Sequence, residues 1–334
     1  MKNLIYLLFL FPLLLLSQKK EIAFKTFTVN TNSCNGFQSS SGSLIYVPDN
    51  AFVKEDGSPC LQTVIIKYRE FHSQTDMFYG GINMLLEENN KYRILESAGM
   101  FEIEAWCGTD KLILKEGKQI QVRMKCRRNI DGLMSFIYDR KKNTWSKYPG
   151  QVYDFSYFEK NNNSDSLDLW GSKKVRRPAQ QAMNGDGEIY EAIDYSTKLP
   201  EGFFKGMNVS KLGLFNYDGV IKDELAIPMI PEFFVKQDGS KLNQQVYIVY
   251  QTRNTMVYYS PEDFAERFVL LNAKGIRIFS MFTDGSVAVL NAGEIDKLTL
   301  GNFRNKNIKF TLDKQPVKPK TEKELSETTG LSTN

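Results

Sequence analysis

LESAGMFEIEAWCGTDKLILKEGKQIQVRM, residues 95–124, is the stretch whose reading decides the fold. Within it Phe101-Glu102-Ile103-Glu104-Ala105 alternates strictly, apolar residues on one side and glutamates on the other. Side chains of an extended chain point to opposite faces in turn, so this pattern predicts a strand with one buried and one wet face. Glu116-Gly117 then turns the chain, and KQIQVRM (118–124) is again strand-like.

Outward from there the same signals recur. AFKTFTVN (23–30), SLIYVP (43–48) and TVIIKYREF (63–71) are strand-like, and Glu55-Asp56-Gly57 and Gly80-Gly81 mark turns between runs. LMSFIYDRKKNTWSKYP (133–149) reads as a hairpin with Arg140 to Asn143 at its tip. Short antiparallel strands with one wet face predict a β-sandwich over residues 18–150.

Composition shifts after that. Residues 159–188, EKNNNSDSLDLWGSKKVRRPAQQAMNGDGE, are polar and poor in β-branched side chains, so 151–188 reads as a linker. Strands resume at 209–218, 244–252, 275–283, 285–292 and 307–312, giving a second β-domain over 189–312. One helix is expected in it. Ser260 fits an N-cap, Pro261 the first helical position, and Phe264, Phe268 and Leu271 a core-facing stripe, with Gly275 as the stop. Residues 313–334 are polar and charged and read as a disordered tail. The predicted class is mainly β: two antiparallel sandwich-like domains joined by a polar linker, with one short helix in the second.

The chain has 334 residues, long enough for about two domains. Aromatics make up 13%, with 23 Phe and 16 Tyr, and flat side chains pack well on pleated sheets. Net charge is +4, from 43 basic and 39 acidic residues, too balanced for a nucleic-acid binder, which needs a concentrated basic stripe. Lys2 followed by the apolar run Leu4 to Leu16 has the form of a secretory leader over 1–17. As a helix that run spans roughly 20 Å, short of the ~30 Å hydrocarbon core. An exported chain with no transmembrane anchor after leader removal is expected, in the periplasm, at the outer-membrane surface or secreted.

Four cysteines follow the leader: Cys34, Cys60, Cys107 and Cys126. An even number in an exported chain favours disulfides, against the alternative of buried thiols. Cys60 precedes strand 63–71 and Cys107 follows strand 99–106, so antiparallel neighbours bring them together. Cys34 and Cys126 are left to pair with each other.

Candidate sites are few. His72 is the one histidine, in REFHSQTDM, and reads as a turn or surface residue before a general base. Glu102 and Glu104 lie roughly 6.5–7 Å apart along a strand. Glycosidases use carboxylate pairs at about 5–9.5 Å, but facing across a cleft, so a solvated strand face is the simpler reading. Asn184, Asp186 and Glu188 alternate as calcium ligands do, yet the twelfth position of the loop is Tyr195, so a metal-free turn is preferred. Lys173-Lys174-Val175-Arg176-Arg177 reads as solvated linker before a docking patch. Neither a nucleotide loop nor an H-E-x-x-H, G-x-S-x-G or kinase signature occurs, so no cofactor is expected and an enzyme is the less favoured reading.

SLIYVPDNAFVKEDGSPC (43–60), VIIKYREFHSQTDMFYGGINM (64–84) and the opening stretch together resemble exported β-sandwich proteins of Bacteroidota-type bacteria. They are more distantly similar to the β-sandwich domain shared by ankyrins, netrin receptors and tight-junction scaffolds. The resemblance spans about residues 40–125, and LPEGFFKGMNVSKLGLFNYDG (199–219) resembles the continuation in the bacterial group. It implies protein contacts in place of catalysis and carries over no functional residue. It also implies that Asp165-Ser166-Leu167 is similar to an O-glycosylation acceptor, with Ser166 carrying the glycan.

Two functions are expected from this reading. The first is a non-enzymatic envelope protein with a protein partner. The second is a carbohydrate-binding or carbohydrate-cleaving module, using aromatic faces such as Trp106, Trp145 and Trp170 on glycan.

Overall fold

The computed structural model describes residues 21–89, 91–128, 130, 132–150, 152–154, 182–183, 189–190, 203–290 and 292–333. Strands account for 47% and helices for 11%, so the chain is mainly β. The proposed leader lies outside the described residues.

The last residues of the deciding stretch belong to the strand Ile120–Cys126, and its first part to one long strand, Lys91–Cys107. Phe101, Ile103 and Ala105 are fully buried on its inner face. Val64–Phe71 pairs with its second half on one side, and Gly213–Val220 pairs with its middle on the other. Met134–Asp139, Thr144–Lys147 and Leu85–Glu88 continue the sheet, and Leu85–Glu88 pairs back onto Lys91–Ile94. Five strands thus close into a ring. Its last joint, Trp145 beside Leu86, is parallel.

A second sheet packs against this one. Its order is Val152–Asp154, Phe203–Val209, Ile120–Cys126, Leu44–Val47, Asn35–Gln38. Between the two lie Phe27, Ile45, Val47, Ile66, Tyr68, Phe101, Ile103, Val122, Met207, Phe215 and Tyr217. Each such Phe or Ile contributes roughly 1.5–3 kcal/mol by leaving water. The sandwich expected over 18–150 is therefore completed by Val152–Asp154, from the range expected as linker, and by strands from 203–220, from the range expected as the second domain.

Beyond Val220, six strands form a further sheet: Ile230–Val235, Asn307–Lys314, Val287–Val289, Ile276–Met281, Val246–Tyr250 and Thr255–Tyr259. Its first pair is parallel. One apolar core runs without a break from Phe71, Met77 and Trp145 to Ile248, Phe279, Leu325 and Leu331. The two halves share that core, and the sandwich keeps a second core of its own between its two sheets.

Three expectations are corrected. The helix predicted from Ser260 is only a 3₁₀ turn, Pro261–Asp263. The Ser260 N–H does donate to Asp263 at 3.0 Å, and Phe264, Phe268 and Leu271 are buried. However, Val269–Leu271 pairs as a strand with Ala226–Pro228, and that tertiary pairing overrides the helical spacing.

The tail over 313–334 is ordered as far as residue 333. Helix Glu322–Thr329 has a capping box, Thr321 with Glu324, and Gly330 ends it in the left-handed region. Leu325 and Leu331 anchor it in the shared core.

Cys60 and Cys107 form the expected disulfide, with Cα atoms 5.9 Å apart. Cys34 and Cys126 remain thiols. Asn35 pairs with Val47, and Leu44 pairs with Arg123. Cys34 therefore lies toward the Ile120 end of Ile120–Cys126, roughly 20 Å of strand from Cys126. A disulfide needs Cα atoms within about 7 Å.

Candidate functional site

The core faces of two strands turn polar at the same end of the sandwich. Along Val64–Phe71 and beyond, Val64, Ile66, Tyr68, Glu70 and His72 follow one another at steps of two. Along the neighbouring sheet Ser39, Ser41, Ser43, Ile45 and Val47 do the same. The apolar ends of both series pack together, so the polar ends must meet as well.

They do so around Glu70. Its carboxylate accepts from Tyr68 Oη at 2.8 Å, pairs with His72 Nε2 at 2.8 Å, and accepts from the Ser41 hydroxyl. Ser39, Ser41 and Ser43 hydroxyls bond in a row, and Ser43 Oγ accepts from the Lys125 N–H at 2.8 Å. Burial alone would raise the Glu70 carboxyl. The His72 hydrogen bond and charge and the serine hydroxyls outweigh it and hold the group at about 2. Burial, then the Glu70 charge, pushes the Tyr68 phenol well above its usual range, which keeps it a donor.

His72 is thus not the surface residue expected from its turn-like context. Its side chain is only 10% exposed. Its backbone N–H donates to Asp76 Oδ2 at 2.8 Å, and its carbonyl accepts from Asn254 Nδ2 at 3.1 Å. Asn254 Nδ2 also reaches the Ser97 carbonyl at 3.0 Å, tying the six-stranded sheet to the first half.

Two further amides work along the same seam. Gln74 Nε2 donates to the carbonyls of Tyr250, Arg253 and Thr255 at 2.9–3.0 Å, while its Oε1 accepts from the Ser332 N–H. Asn83 bonds both the N–H and the carbonyl of Tyr258, replacing a strand partner at the sheet edge. The helix carrying Gln74, Gln74–Gly80, starts with a Ser73–Asp76 capping box and ends at Gly81.

Asp218 lies deeper. Burial, the largest effect, pushes its carboxyl well above the usual range; the Ser97 hydroxyl opposes this and the Glu96 charge adds to it. Asn216 Nδ2 donates to Oδ2 at 2.5 Å, and Oδ1 has no hydrogen-bond partner among the described residues.

The two strand glutamates have separate jobs. Glu102 is 5% exposed, not solvated as expected, because Arg69 and Arg140 cover it. Arg69 Nη2 lies 2.6 Å from Oε2, and Arg140 Nη2 lies 2.9 Å from both oxygens. Glu104 is half-buried and holds Lys111 Nζ at 2.8 Å and Trp106 Nε1 at 3.1 Å. Neither carboxylate faces the other across a groove.

Trp145 is fully buried and donates from Nε1 to the Asn83 carbonyl. Trp106 carries Lys67 Nζ 4.7 Å above its ring. These tryptophans serve packing and cation–π contacts. Trp170, Asn184, Asp186, Glu188, Ser166 and Lys173 to Arg177 lie outside the described residues.

Surface concavities sit elsewhere. One of about 320 Å³ is lined by Lys54, Pro59, Leu61 and Cys107 beside the disulfide; Leu61 is 92% exposed at its rim. Another of about 270 Å³ lies against the C-terminal helix, lined by Arg277, Asp313 and Thr329 among others. Among the described residues no group of three or more His, Cys, Asp or Glu is placed to hold a metal, and no helix is long and apolar enough to cross a membrane.

The polar cluster was legible in part. Glu70 and His72 continue the apolar parity of Val64-Ile66-Tyr68, and that continuity marks them as core-facing. Asp218, Asn254 and Gln74 carried no local signal, since their partners are distant in sequence. No family model matches the chain, and no curated protein or solved structure is similar to it.

Proposed function

We propose that this chain is an exported, non-enzymatic binding or structural protein of the bacterial envelope that works through contact with another protein. The observation that carries the reading is the loop Ser58 to Gln62. Cys60 is tied to Cys107, so the loop presents Leu61, 92% exposed, on a covalently fixed base beside a shallow concavity. A rigid apolar tip loses little entropy on docking and suits a protein partner.

Two features support export. The run Leu4 to Leu16 has leader form, and a disulfide persists in oxidising compartments. The chemistry of the interior supports a binding role over catalysis. Glu70, His72, Glu102 and Gln74 hold strands, sheets and helices to one another, and none of them lines either concavity described above.

A photo-crosslinking residue at position 61, in intact cells, tests this. A discrete protein adduct that a crosslinker at the exposed Val317 does not give supports the proposal. Binding of the purified chain to a glycan array with no protein adduct would overturn it in favour of the carbohydrate module.

A further inference from the structure

Asp218 is fully buried, and it makes no ion pair among the described residues. A break in strand register sets its surroundings. Where Gly213–Val220 pairs with Lys91–Cys107, Tyr217 stands opposite Gly99 but Asp218 stands opposite Ser97, so Ala98 is left out of the ladder. Such bulges re-aim side chains. This one sets Ser97, in place of Ala98, beside Asp218 and Asn216.

The three side chains hold too few protons for a charged carboxylate. Asn216 Nδ2 donates to Asp218 Oδ2. Ser97 Oγ has one proton and gives it to Asn216 Oδ1 at 2.7 Å, while accepting from the Gly99 N–H at 3.0 Å. Asp218 Oδ1 has no hydrogen-bond partner among the described residues. An ionised carboxylate offers roughly four acceptor sites, and out of water the unfilled ones are costly. A carboxylic acid brings a proton of its own and needs fewer donors.

The nearby charges act in the same direction. Glu96, on the neighbouring strand, disfavours a second negative charge. Its partner Arg253, from the second half, lies 2.5 Å from it. On the other side, Met134–Asp139 sets Met134 opposite Asp218, and Met84 Sδ lies 3.8 Å from Asn216 Nδ2. His72, whose ring borders Gly99, is turned to Glu70.

The same residues join the two halves. The Ser97 N–H donates to the Asn254 carbonyl at 3.0 Å, and Asn254 Nδ2 donates back to the Ser97 carbonyl at 3.0 Å. Ser97 is thus bonded to the second half by its backbone and to the Asp218 group by its side chain. A charge on Asp218 draws the Ser97 hydroxyl away from Asn216 and repels Glu96, one member of the Glu96–Arg253 pair. We propose that Asp218 is a neutral acid in the folded chain and that its ionisation is a pH-sensitive switch loosening the Ser97–Asn254 joint between the halves.

The sign follows from burial, which holds the folded carboxyl well above its ordinary value of 3.8. Its contribution to stability is complete below that value and is lost as pH rises toward the folded one. The test compares the full chain with Asp218→Asn, which keeps the shape and stays neutral. Denaturant unfolding is followed from pH 5 to 8, above the window in which Glu70 titrates. His72 is present in both chains, so its titration cancels in the comparison.

The folding equilibrium constant of the unaltered chain should fall relative to that of Asp218→Asn, by up to about tenfold for each pH unit. The Ser97 and Gly99 amides should exchange faster than in Asp218→Asn, with a gap that widens toward pH 8. Infrared spectra at neutral pH should show a protonated carboxyl that Asp218→Asn lacks. Should that variant not fold, the infrared spectrum of the unaltered chain decides alone. Parallel pH profiles, no protonated carboxyl at neutral pH, or exchange that quickens no more at Ser97 than at Ile45 would each overturn the proposal.

Discussion

The sandwich closes its two ends by different means. At one end Cys107, opposite Val64, is bonded to Cys60, and the loop outside that bond is open to solvent. At the other end, seven residues along Val64–Phe71, the same sheet pair closes with Glu70, His72, Tyr68 and three serines, all polar and largely buried. The covalent end holds two strands and leaves its surface free to vary. The polar end holds two sheets, and through Asn254 it holds the second half of the molecule as well. A covalent bond acts mainly by restricting the unfolded chain. The polar end acts in the folded state, where each group depends on all the others being present.

That contrast fixes the order of effects. Glu70→Ala should be the most damaging single change. It leaves the His72 ring, the Ser41 hydroxyl and the Tyr68 phenol without their common acceptor, and breaking such a buried pair costs about 3–5 kcal/mol. Denaturant midpoints at neutral pH measure this. Acid adds a second reading. The folded Glu70 carboxyl sits at about 2, below its ordinary value of 4.5. Its contribution is therefore complete above about pH 4.5 and lost as pH falls toward 2, amounting to about 3 kcal/mol. Glu70→Gln should flatten the decline of stability over that window. An unchanged acid profile would mean that the carboxylate does not hold this end of the sandwich.

Cleaving the covalent end should cost less. Replacing Cys60 and Cys107 by serine removes a bond that spans 47 residues, and such bonds typically stabilise by about 2–4 kcal/mol. The pH profile between 2 and 4.5 should keep its shape, because no group titrating there is touched by the change. If the double serine variant lost more than Glu70→Ala does, the ranking of the two ends would be reversed.

How much of this could be read beforehand depends on the distance over which each element finds its partner. The alternation at Phe101, Ile103 and Ala105 is local, and it placed the right residues inside. The Cys60–Cys107 bond followed from two strands that are antiparallel neighbours. Gly213–Val220 joins the first sheet by pairing with residues more than a hundred positions earlier, and no local pattern marks that. The 260–271 segment shows the opposite failure. Its helical spacing is real, but Val269–Leu271 gains more from pairing with Ala226–Pro228. The C-terminal helix was hidden by mean polarity, although Thr321, Glu324 and Gly330 bracket it with a start and a stop. At the polar end, the parity linking Tyr68, Glu70 and His72 was visible; its meaning was not, because polarity in a strand ordinarily signals solvent.

The seam beyond the polar end offers a sharper probe of how far its influence extends. Gln74→Ala removes the donor shared by the carbonyls of Tyr250, Arg253 and Thr255 and the acceptor of the Ser332 N–H. Leaving buried carbonyls unpaired costs about 1–3 kcal/mol. Hydrogen exchange should show the loss first in residues 322–333, whose helix is joined to the first half through Ser332, Gln74 and Thr75. Faster exchange there, with little change at Ile45 and Val122, is the expected pattern. Uniform acceleration would mean that the halves unfold as one unit.

The smallest effect is expected at the open end. Leu61 is 92% exposed and lies outside both apolar cores, so Leu61→Asp should shift stability by less than about 0.5 kcal/mol. The disulfide makes this a clean comparison. With Cys60 fixed to Cys107, a polar residue at the tip cannot pull the strand Val64–Phe71 out of register. Without the bond, the loop has more conformations to lose, and the same substitution acts on a looser base. Thermal unfolding of Leu61→Asp in the presence and absence of reductant separates the two cases. Equal melting shifts in both would show that the bond does not set the loop. A shift confined to the reduced protein would show that covalent closure is what leaves position 61 free to serve contact instead of folding.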